Sequence, residues 1–147
     1  MPYDNEHDTA KLLRECDAGI KMGITSLEDV IPQTADPGLE QVLKQSRQEH
    51  IRLRAEAERQ LNRIKDKGKS PGAMAKSMSS IKTQLTMQTG GDSDAARLVT
   101  NGCEKGISTL NKYLDKYHYA DEKSKRLTNE LIAAEQKLVS ELDRFKG

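Results

Sequence analysis

Two short phrases in this 147-residue chain match, Cys16-Asp17-Ala18-Gly19-Ile20 and Cys103-Glu104-Lys105-Gly106-Ile107. Each sets a thiol beside a carboxylate ahead of a Gly-Ile pair, and each lies in a long helical stretch that turns into a second one. Two helical hairpins, each giving a carboxylate near the middle of one bundle, supply half of a metal site. A carboxylate-bridged metal pair in a four-helix bundle takes a Glu from each of two helices and Glu-x-x-His from each of the other two. Hard oxygens bridge and neutralise the cations, and imidazoles complete the coordination.

Counting along each hairpin from its turn locates the rest of such a set. Asp17 stands as far before the first turn as position 51, beside His50, stands after it. Glu104 and Glu135 are related in the same way across the second turn. Asp17, His50, Glu104 and Glu135 are therefore expected at one level, as ligands for iron or manganese if a metal is held. Their directions are less favourable. At about 100° per residue His50 falls near the centre of its apolar stripe, whereas the three carboxylates fall at stripe edges.

Glu-x-x-His itself is missing. Arg47 stands three residues before His50, and Glu130 and Glu135 are followed three later by Ala133 and Leu138. His7 and His118 belong near helix ends. The expectation is a degenerate site with no cofactor, in which His50 is a core histidine satisfied by a carboxylate such as Asp17 or Glu104. A carboxylate-bound iron or manganese protein is the alternative. Thiol catalysis would need a positioned base and access, and Cys16 and Cys103 sit on apolar faces, where they read as small buried hydrophobes. Gly90-Gly91 stands alone before a capped helix and makes no phosphate loop.

The elements that must position these residues follow from apolar spacing at steps of three and four. A first helix is expected over about 8–31, striped by Leu13, Cys16, Ile20, Ile24, Leu27 and Ile31, with Asp8 or Thr9 as cap. After a break at 34–38, where Asp36-Pro37 reads as N-cap and first helical residue, a second runs to about 67 with Leu39, Leu43, Ser46, His50, Leu53, Ala57, Leu61 and Ile64 inward. Gly68 is placed to end it. A third, capped by Asp92 or Ser93, carries Val99, Cys103, Ile107, Leu110, Leu114 and Tyr117. A fourth opens near Asp121 and carries Leu127, Leu131, Ala134, Leu138, Leu142 and Phe145. Gly19 and Gly23, matched by Gly102 and Gly106, predict a close seam between the first and third helices.

The hairpins thus span about 8–67 and 92–146 of a single domain covering 1–147. The connection of about 68–91 is too long for a turn, and Met74, Met78, Ile81 and Leu85 after Ser70-Pro71-Gly72 give it a short amphipathic helix. Such a segment can cross the length of the bundle, as in ferritin-like connectivity. Plain up-down-up-down with a decorated loop is the alternative.

Composition bounds the function. Apolar residues make up 35% and charged residues 32%, close to the range of disordered chains, but the helical spacing argues for a packed core of Leu, Ile, Val, Ala and Met. With 24 basic and 23 acidic side chains, the chain lacks the basic excess of a nucleic-acid binder. The run from Lys65 to Lys69 contains Asp66 and reads as a solvated loop. The polar start has no signal-peptide pattern and no stretch is long enough to span a bilayer, so a soluble, cytoplasmic protein without nucleic-acid or membrane partners is expected.

Three phrases resemble the ferritin-like superfamily, and more closely a group of small bacterial ferritin-like proteins of a domain family without assigned function. They are Gly102-Cys103-Glu104-Lys105-Gly106-Ile107 with Leu110-Asn111-Lys112-Tyr113-Leu114, the bridge Pro71-Gly72-Ala73-Met74-Ala75-Lys76-Ser77-Met78 with Ile81-Lys82-Thr83, and Leu131-Ile132-Ala133-Ala134-Glu135. The resemblance implies an all-α four-helix bundle with a helical crossover, often dimeric, and implies no activity. Asp17, Glu104 and Glu135 match the superfamily's carboxylate positions; Arg47 and the absent histidine of the fourth helix break its motif. The function expected is that of a non-catalytic bundle, a homodimer or a binder of another protein.

Overall fold

The four apolar stripes become four helices. The computed structural model describes residues 2–68 and 91–147. In it α1 spans Pro2–Val30, α2 Pro37–Arg63, α3 Asp92–Lys116 and α4 Glu122–Leu142, with 3-10 turns at Ile31–Gln33 and Asp143–Phe145. There is no strand among the described residues. The amphipathic helix expected at Met74, Met78, Ile81 and Leu85 lies outside them.

Contacts at the helix ends set the directions. At one end Asp92, which opens α3, reaches the α1–α2 connection, its Oδ1 accepting from Ala35 N at 2.8 Å and its Oδ2 from Asp36 N at 2.9 Å. At the other end Asp8 accepts from Tyr119 N at 3.1 Å and Thr9 from Asp121 N at 2.8 Å. Arg63, which closes α2, also pairs with Asp121 at that end. Helices α1 and α4 therefore run one way, and α2 and α3 the other. A plain up-down-up-down path would oppose α2 and α3, so it does not describe this chain. Helices α1 and α4 face each other across the bundle and each touches all three others, while α2 and α3 occupy the far corners.

One apolar cluster fills the end near the first turn, with Leu27, Val30, Leu39, Leu43, Val99, Leu138 and Leu142. A second fills the other half, with Leu13, Ile20, Leu53, Leu61, Leu110, Leu127 and Leu131. Between them lies the level of His50.

Several helix ends differ from expectation, two of them because polar side chains suited to capping are used on the other hairpin. Helix α1 begins at Pro2, so Asp8 and Thr9 are interior to it and hold the α3–α4 turn instead of capping. The N-cap of α3 is Gly91, with no side-chain bond, because Asp92 is committed to Ala35 and Asp36. Helix α2 ends at Arg63, before Gly68. Lys65 takes the left-handed conformation at φ 57°, and Lys65 N bonds Asn62 O while Asp66 N bonds Leu61 O. Those two bonds are a Schellman closure. The Asp36 cap forms as expected, accepting from Gly38 N and Leu39 N, an arrangement worth about 1 kcal/mol.

Candidate functional site

The level that holds His50 is built from all four helices, with a membership different from the one expected. His50 is 1% exposed. Its Nε2 lies 3.0 Å from Glu135 Oε1 on α4, and its Nδ1 lies 2.8 Å from the Ser46 carbonyl one turn earlier on α2. On α1 the ring packs against Gly23, where a Cβ would stand 2.7 Å from Cδ2 and 2.9 Å from Nε2. From α3 the buried Cys103 thiol comes close enough to Glu135 for the carboxylate to raise its pKa. Gly23, His50, Cys103 and Glu135 thus share the level.

Both acceptors facing His50, a carbonyl and a carboxylate, ask for a proton from the ring. An imidazolium, with a proton on each nitrogen, satisfies both; a neutral ring satisfies one. Burial is the strongest single influence on the ring and opposes its charge. The hydrogen bond and charge of Glu135, with the Ser46 carbonyl and the charge of Glu49, outweigh it and raise the His50 pKa above its ordinary value. An imidazolium so placed has no lone pair left for a metal.

Asp17 and Glu104 do not join this level. Asp17 is buried at 1% exposure, but it pairs with Lys21 Nζ at 2.7 Å and lies under Gly68, where a Cβ would collide with its carboxylate. Six residues separate Asp17 from Gly23 on α1, about 9 Å of helix. Counting from the turn misplaced it because the 3-10 turn at Ile31–Gln33 carries the chain onward before α2 begins, so every α2 residue sits further along α1. Glu104 is exposed, since the stripe centre at this point of α3 belongs to Cys103. The expected partners of His50, Asp17 or Glu104, are replaced by Glu135. Among the described residues no group of three or more His, Cys, Asp or Glu could hold a metal ion.

Both thiols are held protonated. Burial pushes Cys16 up to about 12. Burial, then the charge of Glu135, push Cys103 up strongly as well. A base that raises a thiol's pKa is the opposite of an activating one.

The glycine seam is only partly closed. A Cβ on Gly19 would make ordinary contact with Leu131 at 3.6 Å, and one on Gly106 would meet nothing within 4 Å. Between α1 and α3 there remains a narrow cleft of about 50 Å³, lined by Gly19, Gly23, Gly102, Gly106 and apolar side chains, with His50, Cys103 and Glu135 at its floor. It has room for a few waters and is well below the roughly 300–1,000 Å³ of a small-molecule site.

The expectation foresaw His50 and Glu135 and missed Gly23, Cys103 and the Ser46 carbonyl as their company. The signal for Gly23 was present in the paired glycines, which mark the space a ring requires. No helix among the described residues is long and apolar enough to cross a membrane. Comparison with known protein families, with curated proteins and with solved structures found no match to this chain.

Proposed function

We propose that the chain is a non-catalytic, cytoplasmic four-helix bundle of ferritin-like architecture that acts by self-association or by binding another protein. In this reading its metal site is degenerate and has become a structural clasp. The observation that carries the reading is the makeup of the central level. Where a dinuclear centre needs a carboxylate from each helix, α1 presents Gly23 and α3 presents Cys103, while His50 and Glu135 are bonded to each other. The parallel course of α2 and α3 supports the ferritin-like part, since it calls for a connection along the bundle. The high pKa of both thiols and the small central cleft weigh against catalysis there. Two free, buried cysteines suit a reducing compartment.

The reading is tested by metal analysis of protein purified without chelators, alongside light scattering on a sizing column. It predicts no stoichiometric metal and a dimer or higher species. Stoichiometric iron or manganese that disappears in His50→Ala would instead favour the carboxylate-bound metal protein. A strict monomer would remove self-association and leave a heterologous partner.

A further inference from the structure

The face formed by α2 and α4 carries a basin that the central level does not use. Two exposed ion pairs reach across from helix to helix near its ends, Arg52 with Glu130 at 3.6 Å and Arg63 with Asp121 at 3.3 Å. Between them lie about 16 Å of α2, from Arg52 to Arg63, with Gln60 bridging to α4 beneath. The basin measures about 470 Å³ and opens to solvent; it is within the range of small-ligand sites and much larger than the central cleft.

Its lining carries a surplus of cations in a chain whose formal net charge is +1. Five cations, Arg52, Arg59, Arg63, Lys123 and Arg126, face two carboxylates, Glu56 and Glu130. Arg52 is paired within its own helix to Glu49 at 2.6 Å and Arg59 to Glu56 at 2.6 Å, but Lys123 and Arg126 on α4 make no ion pair among the described residues and are exposed. The floor is Leu127 and Gln60, the latter 5% exposed. Gln60 Nε2 donates to Glu56 Oε2 at 3.1 Å and to the Lys123 carbonyl at 3.4 Å. Gln60 Oε1 is buried there with no hydrogen-bond partner, an acceptor short of a donor.

We infer that this basin binds a compact polyvalent phosphate-type anion. Charge complementarity selects the sign: a concave site with a surplus of one charge concentrates counter-ions, and guanidinium groups match phosphate oxygens in a forked geometry. The cross-helix ion pairs select the size. An open-topped basin three helical turns long, bridged near each end by an ion pair, has the length to accommodate a di- or triphosphate group. The unpartnered Gln60 Oε1 favours a ligand that also carries a hydroxyl, either the P–OH of a phosphate or an alcohol beside it. This site is independent of the self-association reading and involves neither His50 nor Glu135.

Isothermal titration calorimetry of the whole chain with inorganic tripolyphosphate, at low and at physiological salt, tests the site. Saturable binding that weakens with salt is expected. The double variant Lys123→Ala with Arg126→Ala is expected to lose about tenfold or more in affinity, each lost contact being charge-assisted. Its melting temperature should be unchanged, since neither side chain is buried or paired. A charge-matched double variant on the exposed side of α3, Lys105→Ala with Lys112→Ala, should bind as the unaltered chain does. An isotherm that never saturates would overturn the inference. Equal losses in both double variants would do so too, reducing the effect to net charge, as would a single-stranded oligonucleotide that binds more tightly than tripolyphosphate.

Discussion

The two copies of the Cys-carboxylate phrase occupy matching places in their hairpins and meet different surroundings. In the first, Asp17 is 1% exposed and held by Lys21, and Gly68 closes over it. In the second, Glu104 points into solvent and the neighbouring Cys103 turns inward to Glu135. The phrase glycines differ too, a Cβ on Gly19 meeting Leu131 at 3.6 Å and one on Gly106 meeting nothing within 4 Å. The difference follows from position in the bundle. Helix α1 lies on the short diagonal and touches all three other helices, so most of its circumference is covered; α3 stands at a corner and buries a narrower stripe. A repeated phrase gives equivalent backbones, and the neighbours decide what each side chain becomes.

The largest effect should come from the one carboxylate that reaches the centre. Glu135→Ala leaves the buried His50 ring without its partner and should cost about 3 kcal/mol in urea unfolding, the upper end for a buried polar group stripped of its hydrogen bond. A loss under about 0.5 kcal/mol, typical of surface changes, would mean the clasp contributes little. The two phrase carboxylates should separate next. Asp17→Ala leaves Lys21 without its buried partner and should cost about 2 kcal/mol, whereas Glu104→Ala should fall within about 0.5 kcal/mol of zero. Equal values would break the asymmetry.

The glycines sharpen the same contrast at smaller scale, and with opposite sign. Gly23→Ala places a methyl against a ring that two hydrogen bonds hold still, and should destabilise by about 1–2 kcal/mol after the gain in helix propensity. Gly106→Ala meets no obstacle and should stabilise by about 0.5–1 kcal/mol. Unfolding free energies of both single variants check this.

The clasp also sets a pH dependence. The His50 pKa is raised in the folded chain, so its contribution is fully present below the ordinary histidine value, near 6.5. That contribution is lost as pH rises through the raised folded value. Stability measured from slightly acid to alkaline pH should therefore fall across that window, and Glu135→Ala should flatten the fall.

Much of this architecture was legible in the sequence because helix periodicity is local. The stripes of α1 through α4 are buried nearly as spaced, Asp36 caps α2 before Pro37, and both cysteines lie in the core. What local pattern could not carry was the relation between elements. The level of His50 depended on how far the 3-10 turn at Ile31–Gln33 advances the chain, and a shift of a few residues exchanged Asp17 for Gly23. Asp8, Thr9 and Asp92 have the chemistry of caps, and only the approach of the other hairpin turned them into clamps on its loops. Glu135 was placed at a stripe edge, and a long side chain with a histidine to meet reaches inward from there.

The central claim is that His50 is committed through both ring nitrogens to the protein itself. Nitrogen-15 NMR of the imidazole rings, with His50 assigned by its loss in His50→Gln, reads this directly. The account predicts that His50 keeps both ring protons up to a pH above the ordinary histidine value, near 6.5, and shows no change on adding ferrous or manganous ion. A ring that loses its proton at or below that ordinary value, with an Nε2 shifted or broadened by stoichiometric metal, would contradict it.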